Sequence, residues 1–129
     1  GVTQLNGTIL IADDDPSART ALHDVLDACG IEVLLASDGQ EAVKLYRGHH
    51  RRIDLTLLDV RMPNMTGLTA LKLIKAINNG AKVILMSGYT EFEEVAPVID
   101  NQTVFFMDKP YSYEQLMAYI EDIIHLVPS

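Results

Sequence analysis

The chain has 129 residues, with 18 Asp plus Glu against 10 Lys plus Arg, one Cys, no Trp and 48% of its residues in the hydrophobic set. A chain this long buries about 70% of its unfolded surface, enough for one domain without staples; a lone Cys excludes a disulfide framework and fits a cytoplasmic protein, and no run nears the ~18 apolar residues of a membrane span. The net charge of −8 is uneven, with eight acids from Thr90 to Ser129 against Lys109 alone, a field that repels phosphate backbones and argues against direct nucleic-acid binding.

Short β-rich runs alternate with helical patterns along the chain. Thr8 to Ala12 is a continuous apolar run that stops at three aspartates, as a strand buried on both faces does. Asp15 caps the following helix and Pro16 suits its first turn. Ala18, Ala21, Leu22, Val25, Leu26 and Cys29 mark its inner face, and Gly30 ends it. Glu32 to Ala36 forms the second strand, Ser37 to Gly39 a turn and cap, and Gln40 to Arg47 a helix with Ala42, Val43 and Tyr46 inward, stopped by Gly48.

Leu55 to Leu58 is a third strand ending at Asp59. After a loop through Pro63 and Asn64, a helix runs from Gly67 to Asn78 on the stripe Leu68, Leu71, Ile74 and Ile77. Lys82 to Met86 is the most apolar strand, ending at Ser87-Gly88. Phe92 to Ile99 is a weak helix interrupted by Pro97. Val104 to Met107 is the fifth strand, ending at Asp108-Lys109-Pro110. Ser112 then opens the last helix with Gln115 in capping-box position and the stripe Leu116, Tyr119, Ile120, Ile123, Ile124 and Val127.

Five strand-helix units specify an α/β domain, a parallel sheet covered on both faces with right-handed crossovers. The domain is expected over residues 7–127, with 1–6 as an N-terminal tail and 128–129 as the start of a truncated linker. Gly1 in place of a starting Met suggests a piece of a longer chain, such as a hybrid histidine kinase or a multidomain regulator.

Ligands of such sheets bind beyond the carboxyl ends of the strands. Standing there are Asp13 and Asp14 after the first strand, Asp59 after the third, Ser87 after the fourth and Lys109 after the fifth. Like charges at close quarters are costly, so three carboxylates at one edge point to a cation among them. Oxygen-only donors favour Mg²⁺, with Mn²⁺ as the alternative ion. Singly, each residue has a plainer reading: Asp59 as a turn residue or a nucleophile, Ser87-Gly88 as a turn, Lys109-Pro110 as a rigid strand exit. His23, His49, His50 and His125 show no metal-ligand spacing with other donors.

The runs TILIADDDPSAR, DLTLLDVRMPNMTGL, VILMSGY and FFMDKPYS resemble, in order and on the expected strands, the signature segments of the response-regulator receiver domain of two-component phosphorelay signalling. The resemblance covers Thr8 to Val127. It implies a flavodoxin-like doubly wound (βα)5 fold and a phosphorylatable switch. In that pattern Asp59 is the phosphoacceptor, supplied by a histidine kinase or a histidine phosphotransfer protein. Asp13, Asp14, Asp59 and the backbone carbonyl of Arg61 hold Mg²⁺. Ser87 takes the hydroxyl position, Lys109 the lysine position with a cis bond to Pro110, and Phe106 the switch aromatic. Phosphorylation would then alter the surface of the fourth helix, fifth strand and fifth helix, the acidic face, which would meet a downstream protein or output domain.

Some positions depart from the common pattern. Thr66 replaces an acid before Gly67 but remains a fair helix cap. Asn101-Gln102-Thr103 replaces a Gly-Ala step, which unsettles the fourth helix and its turn. Arg61 and Tyr89, two positions beyond Asp59 and Ser87, are placed to flank the line of water attack. The runner-up function is a small Mg²⁺-dependent phosphatase or phosphotransferase with an Asp nucleophile. The haloacid-dehalogenase type needs a second Asp where this chain has Arg61. A flavin or nucleotide binder would want a Gly- or Ser/Thr-rich loop where Asp13-Asp14-Asp15 stands. A degenerate docking module would lack some of the five site residues.

Overall fold

The computed structural model describes residues 5–124, 127 and 128. Five parallel strands form one sheet: β1 (Thr8–Ala12), β2 (Glu32–Ala36), β3 (Leu55–Asp59), β4 (Val83–Ser87) and β5 (Val104–Asp108). The helices between and after them are α1 (Pro16–Ala28), α2 (Gly39–His49), α3 (Gly67–Ile77), α4 (Phe92–Val95) and α5 (Tyr113–Ile124). The spatial order is β2-β1-β3-β4-β5, so the chain reverses direction between β1 and β3, and the crevice there opens at the carboxyl ends of both.

Alternation along the strands sorts the core into two layers. Leu10, Ala12, Leu58, Val83 and Leu85 face α2, α3 and α4, meeting Ala42, Val43, Tyr46, Leu71, Ile74 and Val95. Ile9, Ile11, Leu55, Leu57 and Ile84 face α1 and α5, meeting Leu22, Leu26, Leu116, Ile120 and Ile123. The register Ile11↔Leu57 and Leu57↔Ile84 keeps each set on its own side, since a one-residue slip would turn every side chain to the other face.

The caps follow the sequence closely. Asp15 accepts from the Ser17 N–H, Asp38 from the Glu41 N–H and Thr66 from the Thr69 N–H. Ser112 and Gln115 exchange reciprocal bonds of 3.0 Å, the capping box. Gly30 leaves α1 at φ 86°, a left-handed conformation that suits glycine. Cys29 is half-buried against the α1–α5 side of the core.

Four expectations need correction. Gly48 does not stop α2, which runs on to His49; a solvent-facing glycine near a helix end costs only about 1 kcal/mol, too little to break a helix anchored by Ala42, Val43 and Tyr46. The region of Phe92 to Ile99 is not one weak helix but four α-helical residues between the 3₁₀ turns Tyr89–Glu91 and Ala96–Val98, because Pro97 cannot donate to a continuing ladder. Val127 does not extend the last helix: Val127–Pro128 pairs antiparallel with Leu5–Asn6. Leu5, assigned to a tail, is buried at 4% exposure on the α1–α5 side of the core, so the described fold begins before residue 7.

The Asn101-Gln102-Thr103 departure also has a physical account. Asn101 takes φ 55°, and the Asp100 carboxylate accepts from the N–H groups of Gln102, Thr103 and Val104 at 2.8–2.9 Å. One acid thus organises the turn into β5. These bonds hold its pKa well below the usual carboxylate range, led by the Val104 N–H.

Candidate functional site

β1 ends inside the sheet, which leaves Asp13 at 5% exposure, pinned from two sides. Its carboxylate accepts the Asp15 N–H at 2.9 Å, and its carbonyl accepts Arg19 Nη1 at 2.7 Å. Asp14 is exposed beside it. Asp59, the last residue of β3, is 8% exposed. Gly67 opens α3 so close to this strand end that any Cβ there would fall on the Asp59 carbonyl oxygen.

From β5 comes Lys109. Its backbone N–H is fixed to the Ser87 carbonyl at 2.9 Å, and its bond to Pro110 is cis, as the resemblance implies. The Lys109 ammonium lies 3.1 Å from Asp59 Oδ1 and 3.7 Å from Asp13 Oδ2. Carboxylate oxygens of Asp13, Asp14 and Asp59 lie within 4.8 Å of one another, the one such acid cluster among the described residues, and no histidine joins it. Burial pushes the Asp59 carboxyl up to about 6; Lys109 opposes that rise, while Asp13 and Asp14 add to it. Tyr111, at the rim, is pushed up to about 12 by burial first and then by Asp13.

Such a cluster is costly as it stands. One ammonium pairs with Asp59 and Asp13 in a partly dry pocket that also holds Asp14, and burial first, then the neighbouring carboxylates, make ionised Asp59 costly there. The donor set, oxygen only and open to solvent at Asp14, fits a hard divalent cation that keeps some of its water.

Ser87 closes β4 at 3% exposure, but its hydroxyl is already engaged. It donates to Glu91 Oε2 at 2.8 Å, with the Gly88 carbonyl a longer alternative at 3.2 Å. Thr90 Oγ1 also donates to Glu91 Oε2 at 3.0 Å, and Arg61 Nε meets Glu91 Oε1 at 3.3 Å. The Ser87 hydroxyl first, then Thr90, hold the Glu91 carboxyl below its usual value. The Arg61 side chain is mostly exposed and also reaches Glu94 at 3.9 Å. The Tyr89 side chain and His125 lie outside the described residues. Phe106 is half-buried in the α3–α4 layer, its ring edge-on to Phe92 at 5.0 Å between centroids.

All five strand-end residues therefore lie at the carboxyl edge of the sheet, and four of them, Asp13, Asp14, Asp59 and Lys109, converge. Sequence reading did not single out Arg19 or Glu91. The signal for Glu91 was an acid four residues after a hydroxyl at a strand end, spacing that one helical turn closes. Arg19 sat on the first turn of α1 between Ala18 and Thr20, off the apolar stripe, with no pattern tying it to the Asp13 carbonyl.

The sequence matches the response regulator receiver domain family over residues 9–121. This chain belongs to that family. Receiver domains of two-component signalling are therefore its proper comparison. The chain is 36% identical over 120 residues to the transcriptional regulatory protein ZraR of Escherichia coli O157:H7, covering 93% of this chain and 27% of the relative. It is 34% identical over 118 residues to the chemotaxis protein CheY of Bacillus subtilis, covering 91% of this chain and 97% of that protein. It thus spans about a quarter of ZraR and nearly all of CheY.

Among solved structures, a receiver domain from Clostridium thermocellum superposes with a TM-score of 0.86 at 25% identity, covering 92% of this chain and 94% of that one. A chain of the CheX-CheY-BeF3-Mg²⁺ complex from Borrelia burgdorferi gives 0.82 at 28%, covering 91% and 88%. These likenesses establish the flavodoxin-like doubly wound fold and a receiver domain of the response-regulator kind. No helix among the described residues is long and apolar enough to cross a membrane.

Proposed function

We propose that this receiver domain accepts a phosphoryl group on Asp59 from a phosphohistidine of a histidine kinase or a histidine phosphotransfer protein. The observation that carries the reading is Lys109 at 3.1 Å from an Asp59 carboxylate that shares its pocket with Asp13 and Asp14. Asp59 attacks phosphorus through a carboxylate oxygen. The P–N bond to the donor imidazole breaks as the P–O bond forms, and the imidazole leaves to take a proton from solvent.

Burial makes Asp59 more basic than an exposed carboxylate, while Lys109 keeps it ionised near neutral pH. The Lys109 ammonium then lies where charge builds on the transferring oxygens. Mg²⁺, or Mn²⁺ in its place, would be held by Asp13, Asp14, Asp59 and the Arg61 carbonyl, and when bound it neutralises phosphoryl oxygens. The Ser87 hydroxyl can donate to the bound phosphoryl group, and Phe106 would shift with it. That would change the acidic face of α4, β5 and α5 offered to a downstream protein or output domain. The domain acts in this reading as a switch in the cytoplasm, with only its own phosphorylation and dephosphorylation as chemistry.

Intact mass of the protein after incubation with a small phosphodonor tests this. The expected result is one added phosphoryl group that requires Mg²⁺ and is absent in Asp59→Asn. Rapid consumption of donor with no accumulating adduct would instead support a phosphatase, and no adduct at all a docking module.

A further inference from the structure

The Ser87 hydroxyl has one proton to donate, and in this structure it goes to Glu91 Oε2 at 2.8 Å. Glu91 is itself held in place: Thr90 Oγ1 donates to the same oxygen, and Arg61 Nε braces the other at 3.3 Å. The next residue, Phe92, presses its ring edge-on to Phe106 at 5.0 Å. One short segment therefore grips both the hydroxyl at the end of β4 and the ring on β5.

We infer that Glu91 is a positioning residue that latches Ser87 away from the acceptor site, so that a phosphoryl group on Asp59 must displace the Glu91 carboxylate to gain the Ser87 hydroxyl. The inference rests on Asp59 being the phosphoacceptor. The competition is one of like for like. A phosphoryl oxygen and the Glu91 carboxylate are both anionic acceptors for the same proton, so the hydrogen bond is exchanged rather than gained. The added negative charge also repels Glu91 and attracts Arg61, which weakens the Arg61–Glu91 brace. Release of Glu91 frees the neighbouring Phe92 from Phe106. The latch thereby sets the balance between the two arrangements and links the site to the α4–β5 surface in a single turn of chain.

The test is titration with beryllofluoride and Mg²⁺, followed by the backbone amide NMR signal of Gly88, in the wild type, Glu91→Gln, Glu91→Ala and each of these combined with Ser87→Ala. A latch predicts half-saturation at about three- to tenfold lower beryllofluoride in Glu91→Gln, which loses the charge but keeps an acceptor, and a larger gain in Glu91→Ala. Most of both gains vanishes when Ser87 is Ala, since nothing is then held and only the charge repulsion remains. Gains that persist in full in the Ser87→Ala background would mean simple removal of a nearby charge and would overturn the latch, as would Glu91 variants that titrate like the wild type. Absence of binding by all the proteins would overturn the phosphoacceptor reading and the latch with it. Thermal melting of each variant shows whether it is folded before titration.

Discussion

Asp59 is the residue on which the proposed chemistry turns, and its burial carries a cost. Its folded-state pKa, about 6, lies above the unfolded value, so ionising it in the native state is unfavourable. The cost is fully present above pH 6 and absent below about pH 4, so this group makes the protein more stable as pH falls through that window. In EDTA, Asp59→Asn should therefore stabilise the protein by about 1–3 kcal/mol at pH 7, with the gain fading to nothing near pH 4. Chemical denaturation at the two pH values checks this. Asp100 has the opposite sign: its lowered pKa adds stability above the ordinary carboxylate range that is lost on acidification.

At the scale of single elements, close backbone contacts at the glycines that open α2 and α3 decide how the site is held. A Cβ at Gly67 would fall on the Asp59 carbonyl, and one at Gly39 on the Met65 carbonyl, whereas a Cβ at Gly48 meets nothing within 4 Å. Gly67→Ala should cost about 1–3 kcal/mol and slow phosphorylation by pushing α3 off the β3 end. Gly48→Ala should add about 0.4–1 kcal/mol, because α2 continues through that position. Thermal melts of the two variants, with phosphorylation rates from a small donor, separate the cases.

Elements with strong periodicity and a cap, α1, α3 and α5, were legible from the residues alone, as were the five strand-end side chains. Of the short α4 only the Pro97 break was legible, because the 3₁₀ turns on either side of it and the Asp100-capped turn depend on hydrogen bonds that leave no period in the sequence. Val127 fitted the stripe of α5 by spacing, yet pairs with Asn6 in the Leu5–Asn6 strand, a long-range partner that local pattern cannot reveal. For Glu91 the four-residue spacing from Ser87 was visible in the sequence, whereas its pairing with Arg61, far back along the chain, was not.

Across the whole molecule, the 2-1-3-4-5 strand order carries Asp13 and Asp59 to neighbouring strand ends and brings Lys109 to them from the sheet edge. No pair of these residues is close in sequence except Asp13 and Asp14, so the site exists only when the sheet is complete. Folding and metal affinity are then linked. Mg²⁺ at tenfold its dissociation constant should stabilise the native state by about 1.4 kcal/mol and raise the melting temperature relative to EDTA. Asp13→Asn should abolish most of that rise, and differential scanning fluorimetry at pH 7 reads both. The uneven net charge of −8 acts at the same scale: in the proposed reading a basic partner on the α4–β5–α5 face would bind more weakly as salt rises.

The central claim is that Asp59, and no other of the clustered carboxylates, carries the phosphoryl group. Borohydride converts an aspartyl phosphate to homoserine, so phosphorylating the protein with Mg²⁺ present, trapping it and sequencing the peptides by mass spectrometry reads the position directly. The account predicts homoserine at position 59 and at neither 13 nor 14. Homoserine at 13 or 14, or at no position in a sample whose intact mass shows the adduct, would contradict it.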